Sequence, residues 1–485
     1  MGFKNIRFLI FLIGFLTVSV SSAQEKELYK ELYSSYENFK ENSIEKRRFT
    51  QAEIQPLIEK FQEKINFEVV QVGESIEGRP LQLISIGEGD IDVFLWSQMH
   101  GDESTATMAI FDILNFLDSE EFSEKKERML KKVRLHFLPM LNPDGAQRFQ
   151  RRNLLGVDIN RDAVRLQSPE SKTLKRVRDS LDADFGFNLH DQSTYYNAER
   201  TPKPATISYL APAYNYEKSI NDVRGAAMQV IVQMNNILQE YAPGQVGRYN
   251  DDFEPRAFGD NIQKWGTSTI LIESGGYPND PEKQEIRKLN FVSILAAVFS
   301  IAEEDYKNAD ISKYEEIPNN DRKLFDLKLT GLTYELLGED YILDFGINRR
   351  EVQDENLEYY YDAYIADRGD LSTFYGYEEF DASGYELVQG KIYPETFEDL
   401  AEFQRQNISQ ILREGYAYVV LKELPEENFT ELPVNIVSKD FKISENLQPH
   451  FFLQKDENLE YAVINGFLID LSKENFGLEN ALILE

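Results

Sequence analysis

Between residues 50 and 305 the chain alternates short apolar runs with longer stretches of helical period. Runs of strand length fall at 67–72, 81–86, 91–96, 133–138, 185–189 and 269–272. Helical patterns lie at 105–117, after Ser168-Pro169-Glu170, at 218–241 and at 282–301. In the second of these positions serine suits an N-cap and proline the first helical residue. Strands alternating with helices predict an α/β domain built on a mixed sheet with helices on both faces. Sites on such sheets gather at strand ends. Residues 307–322 are polar, carry Pro318 and Asn319-Asn320, and read as a linker. Beyond them the period drops to two, at Phe325, Leu327 and Leu329, at Tyr416, Tyr418 and Val420, and at Tyr461 and Val463, with one helix around 397–412. The expected organisation is an α/β domain at 49–306, a linker at 307–322 and a mainly β accessory module at 323–485.

The N-terminus reads as a processing segment. Lys4 and Arg7 precede an apolar stretch at 8–20, and Ser21-Ser22-Ala23 suits cleavage, so 1–23 is expected to be a signal peptide. Export to a periplasmic or extracellular space follows. No other segment is apolar for long enough to cross a bilayer, so no membrane span is expected after cleavage. Residues 24–48 read as a polar helical lead-in, shorter than a usual folded prosegment.

Composition narrows the chemistry. At 485 residues the chain is too long for one ordinary core. A net charge of −32 disfavours nucleic acid and anionic membrane as partners. Zero cysteines exclude thiolate catalysis and thiolate metal ligation, so any zinc must be held by His and carboxylate. Only four histidines are available: His100, His136, His190 and His450.

Two of them fall at predicted strand ends. His100 and Glu103 follow the run 91–96, and His190 closes the run 185–189. A catalytic zinc site takes three protein ligands and leaves a fourth position for water, and two imidazoles with one carboxylate leave the ion electropositive. Glu273, before Ser274-Gly275-Gly276, is placed to serve as general base. Arg148, Arg151 and Arg152 offer a cation for an oxyanion. His136, inside a strand, and His450, in the C-terminal module, read as structural, and Tyr359-Tyr360-Tyr361 as packing for that module's own sheet.

Six fragments stand in one order: 73–81 (Gly-Glu-Ser-Ile-Glu-Gly-Arg-Pro-Leu), His100-Gly101-Asp102-Glu103, Asn142-Pro143-Asp144-Gly145, 156–161 (Gly-Val-Asp-Ile-Asn-Arg), Asn188-Leu189-His190 and Ile272-Glu273-Ser274. In these the region from about 65 to 300 resembles the zinc metallocarboxypeptidases, the family of carboxypeptidases A, B and D and their bacterial relatives. The resemblance implies a zinc carboxypeptidase-like fold and one Zn²⁺ held by His100, Glu103 and His190, with Glu273 as general base. It implies that Arg151 polarises the scissile carbonyl, Arg152 being the fallback. Asn160 and Arg161 match the pair that clamps the free carboxylate of a peptide substrate, and Tyr249 the mobile tyrosine over it. Asp102 stands where digestive members carry arginine, Asp162 follows Asn160-Arg161, Asp191-Gln192 follows His190, and the spacing from Glu103 to His190 is short. These departures touch the specificity pocket rather than the zinc chemistry. The resulting expectation is an exported carboxypeptidase that removes C-terminal residues from peptides. A zinc amidase or deacylase on cell-wall peptides or N-acyl amino acids would use the same ligands. A binding protein on an inactive scaffold is the alternative outside enzymology. By the same resemblance Phe258 and Asp260, upstream of Glu273, lie in the stretch where the family sets preference; an apolar and a basic terminal residue can each be argued from them, so the preferred residue is not legible, and neither is the oligomeric state.

Overall fold

The run at 91–96 is a strand buried on both faces. Val93 and Leu95 enter one apolar core while Phe94 and Trp96 enter another, which is why the run shows no polar alternation. The computed structural model describes residues 27–354, 356–473, 476 and 480–484, so the expected signal peptide lies outside the described residues. They form two compact units that divide between Arg322 and Lys323.

The strands of the first unit are β1 (Glu68–Glu74), β2 (Pro80–Ile86), β3 (Ile91–Ser97), β4 (Val133–Leu138), β5 (Phe185–Asp191), β6 (Asn197–Ala198), β7 (Ile207–Leu210), β8 (Val246–Arg248), β9 (Ser268–Ser274) and β10 (Asn320–Asp321). Eight of them make one mixed sheet in the order β1-β2-β4-β3-β5-β9-β7-β8. The centre, β4-β3-β5-β9, is parallel. Helices Thr105–Asp118, Asp222–Tyr241 and Gln284–Glu303 share a core with one face of the sheet. Helices Pro169–Leu181 and Phe258–Lys264 share a smaller core with the other. The register sets His190 directly beside Glu273.

Two expected boundaries change. The lead-in is part of the catalytic unit, because Leu32, Tyr36, Phe39 and Ile44 are buried in its main core. Residues 307–322 are not a free linker. Tyr314 and Ile317 are buried in the same core, and β10 pairs with β6. The polar text hid these anchors because isolated apolar residues in short 3-10 turns produce no period. Strands β7 and β8 and the helix Gln51–Gln62 were absent from the expected set.

The second unit is mainly β, with a large sheet of eight strands and a smaller one of five. The expected single helix at 397–412 is two short ones, Leu400–Phe403 and Ile408–Arg413, in the crossover between parallel strands Lys391–Phe397 and Tyr416–Leu421. His450 is buried there. Its Nδ1 accepts from the Asn465 amide, and burial pushes its pKa down to about 4, values of a packing residue.

Candidate metal centre and cleft

His100 and Glu103 sit in the loop between β3 and the helix Thr105–Asp118, rather than on either element. Three contacts shape that loop. The Gln98 side chain donates to Gly101 O at 2.8 Å. Ser104 Oγ donates to Arg47 O of the N-terminal segment at 2.5 Å. A Cβ on Gly101 would fall 2.1 Å from the Gly145 carbonyl carbon, so only glycine admits this approach. Gly145 belongs to the short helix Pro143–Ala146, capped by Asn142. Asp144 in turn accepts from Ser75 Oγ at 2.7 Å and from Arg79 Nη1 at 2.6 Å. The fragments around 75–79, 101 and 142–145 are thus neighbours in space, interlocked behind the loop.

The three candidate ligands converge. Glu103 Oε1 lies 2.7 Å from His100 Nδ1, and Oε2 lies 2.7 Å from His190 Nδ1. All three residues are buried, with potential ligand atoms within 4.8 Å of one another; among the described residues no other such cluster is found. Burial lowers the pKa of both imidazoles, but for His100 the charges of Glu103 and Asp158 outweigh it and bring the value up to about 9. His190, wholly buried and without that second carboxylate, stays low. Burial also raises Glu103, yet the two histidines hold it well below the usual carboxylate range. A buried anionic pocket that draws protons onto an imidazole is one that a divalent cation suits, and two imidazoles with one carboxylate match a catalytic zinc set.

The other expected residues surround this cluster. Arg151, not Arg148 or Arg152, points at it. Its Nη1 donates to Glu103 Oε1 at 3.1 Å, while Nε and Nη2 donate to Asp158 Oδ2 at 3.2 and 3.0 Å. Arg148 pairs with Glu77 instead, and Arg152 donates to Gly156 O. Glu273 is buried with no hydrogen-bond donor on its carboxylate among the described residues, and burial followed by the charge of Glu103 raises its pKa well above an ordinary glutamate. Asn160 Oδ1 accepts from Phe258 N at 2.9 Å, and Arg161 Nε lies 3.4 Å from Glu254. Tyr249 packs edge-on to Tyr196 at 6.3 Å. Arg151, Glu273, Asn160, Arg161 and Tyr249 line one cavity of about 780 Å³ together with the three ligands, whereas Arg148 and Arg152 do not.

Asp158 and the pair Asn319-Asn320 carried no role in the sequence reading. Asp158 accepts from His100 Nε2 at 3.1 Å and bridges it to Arg151. Its signal was present, a carboxylate two residues before Asn160. Asp260 lines the cavity, and burial pushes its pKa up to about 7. Asn319 and Asn320 line it too, from the segment read as a linker. Asp102 is half-buried beside Glu103, and desolvation takes it up to about 6. Asp162 accepts from the amides of Gln167 and Ser168 and shapes its own loop.

Residues 54–174 match the Peptidase_M14 family model, described as zinc carboxypeptidase. Carboxypeptidase SOL1 of Arabidopsis thaliana is 29% identical over 175 residues, 30% of this chain and 35% of that protein. The human carboxypeptidase N catalytic chain is 29% identical over 115 residues, 19% of this chain and 25% of that one. The chain spans about a third of the length of the curated relatives it matches first. A metallo-carboxypeptidase from Burkholderia cenocepacia superposes with a TM-score of 0.43 at 17% identity, over 53% of this chain and 70% of that one. No helix among the described residues is long and apolar enough to cross a membrane. Over residues 54–174 the chain is thus similar to the zinc carboxypeptidases.

Proposed function

We propose that this protein is an exported, zinc-dependent carboxypeptidase that hydrolyses the last peptide bond of peptides with a free C-terminus. The observation that carries the reading is the meeting, on one cavity, of three metal-type ligands, an unpartnered buried glutamate, and Asn160 with Arg161. One zinc ion held by His100, Glu103 and His190 would supply Lewis acidity and an acidified water. Glu273 takes a proton from the attacking water and returns it to the leaving amine; its raised pKa suits both transfers. Arg151 presents its guanidinium to the developing oxyanion. Asp158 holds the His100 ring through Nε2 and so fixes which nitrogen faces the ligand cluster. Asn160 and Arg161 bind the substrate's terminal carboxylate, measuring one residue from the chain end. Tyr249 lies over the cavity and excludes water once substrate is seated. Asp260, a desolvated carboxylate on the cavity wall, favours a lysine or arginine as the residue released. Export rests on the composition of residues 1–23.

The test is mass spectrometry of a mixed peptide library incubated with the zinc-loaded protein, each peptide present with a free and an amidated C-terminus. Loss of single residues from free ends only is the expected result. Equal cleavage of amidated peptides would move the reading to an amidase. No cleavage of any peptide, cell-wall fragment or acyl amino acid would leave a binding protein on an inactive scaffold.

A further inference from the structure

Lys283 breaks two local rules at once. It adopts a left-handed backbone, φ +53°, where a side chain with a Cβ is disfavoured. It also places a cation at the N-terminus of the long helix Gln284–Glu303, the end that favours negative charge. Its side chain is nevertheless only 6% exposed. Local costs of this kind persist where surrounding contacts over-determine the conformation.

Those contacts all lead to the strand ends that carry the site. Lys283 Nζ donates to Asp191 Oδ2 at 3.0 Å and to Ser274 O at 2.9 Å. Asp191 directly follows His190 on β5, and Ser274 directly follows Glu273 on β9. The two residues face each other in the last register pair of those strands, where the ladder ends. Asp191 Oδ2 also accepts from Thr105 Oγ1 at 2.5 Å, the first residue of the helix behind Glu103. The Asp191 amide donates to Glu103 Oε2 at 3.3 Å. One ammonium therefore joins the elements that carry His190, Glu273 and Glu103. Lys283 does not line the cavity among the described residues, so it does not reach substrate.

We infer that Lys283 is a positioning residue: through Asp191 and the Ser274 carbonyl it holds His190 and Glu273 at their working separation. This rests on the carboxypeptidase reading above. Loss of a partner that orients a metal ligand typically costs about 10–100-fold in metal affinity or activity. In the full-length protein, Lys283→Met is expected to weaken zinc about 10–100-fold, measured by chelator competition. Its kcat should fall by a similar factor at a temperature well below its melting point. KM should stay within about twofold, because Asn160 and Arg161 are untouched. Lys283→Arg, which keeps the charge, should recover most of both losses. Thr105→Val removes only the hydroxyl on Asp191 and provides the same readouts if Lys283→Met does not fold, with a several-fold loss expected.

A Lys283→Met protein with lowered melting temperature but wild-type zinc affinity and kcat would overturn the inference and make Lys283 a stabilising residue only. So would a KM effect with kcat unchanged, or a foldless Lys283→Met beside a wild-type Thr105→Val. Wild-type protein that binds no zinc and releases no C-terminal residue would overturn the carboxypeptidase reading and this inference together.

Discussion

Asp260→Asn tests which residue the cavity is built to release. Burial pushes this carboxyl up to about 7 from an ordinary 3.8. Keeping it ionised in the free protein therefore costs about 4 kcal/mol, at about 1.4 kcal/mol per pH unit. The hydrogen bond from Glu254 N at 3.0 Å does not remove that cost. A lysine or arginine side chain supplies the missing partner. Recovering half of the cost is worth about 2 kcal/mol, at the low end for a desolvated charge pair, or about 30-fold in kcat/KM. The asparagine variant keeps the shape and loses the charge. Its preference for C-terminal Lys or Arg over Leu should fall about 30-fold, with leucine-ended peptides changed less than about threefold. In the wild type the preference should rise with pH through about 7, since kcat/KM reports the ionisation of the free enzyme. The assay is kcat/KM on matched peptides ending in Lys, Arg, Leu and Phe from pH 5.5 to 8.5. Stability carries an independent sign. The unfolded chain loses this proton near 3.8 and the folded chain near 7. The destabilisation is thus absent below 3.8, grows across that window and is complete above 7, so the variant should gain most in melting temperature at pH 8. An unchanged Lys-to-Leu ratio in the variant would refute the reasoning, and the pocket would then be read as apolar from Leu210 and Leu271.

Three further outcomes are expected. Glu273→Gln should lower kcat at least about 100-fold while zinc content by elemental analysis stays at the wild-type level, as expected of the proposed general base that is not a ligand. Asp112→Asn should destabilise the first unit. Asp112 is fully buried and accepts from Arg287 Nε at 2.7 Å, Tyr36 OH at 2.9 Å and Glu41 N at 2.7 Å, and leaving a buried arginine unpaired costs about 3–5 kcal/mol. That corresponds to about 10 °C in melting temperature, with residues 27–48 newly open to proteolysis; an unchanged digestion pattern would show that this segment is not held by the pair. A chain stopped after Asp305 loses Tyr306, Tyr314, Ile317 and the cleft residues Asn319 and Asn320. It should be inactive and poorly folded, whereas one stopped after Arg322 should keep its activity, read by peptide release and thermal melting.

Much of the site was legible because its chemistry is local in the text. His100 and Glu103 lie one turn apart, Asn160 and Arg161 are adjacent, and each of His190 and Glu273 closes an apolar run that could only be a buried strand. Runs such as 91–96 and 269–272 reveal a strand without any partner in view, since an interior parallel strand must be apolar on both faces. Which of Arg148, Arg151 and Arg152 faces the cluster depended on register with other residues, and the bond to Asp158 decides it.

The features that stayed hidden are those made by residues far apart in the chain. Lys283 meets Asp191 across 92 positions, and Arg287 meets Asp112 across 175. Neither pair leaves a periodic trace. The polar stretch at 307–322 folds onto the unit through Tyr314 and Ile317, and the lead-in does so through an apolar stripe too short to weigh against its charge. Periodicity reports which face of an element is apolar, so it revealed the strands, the helices and the ends where ligands sit. Burial, pairing and the cost of desolvating a carboxylate such as Asp260 arise only when distant segments close around it, and these the tertiary structure alone decided.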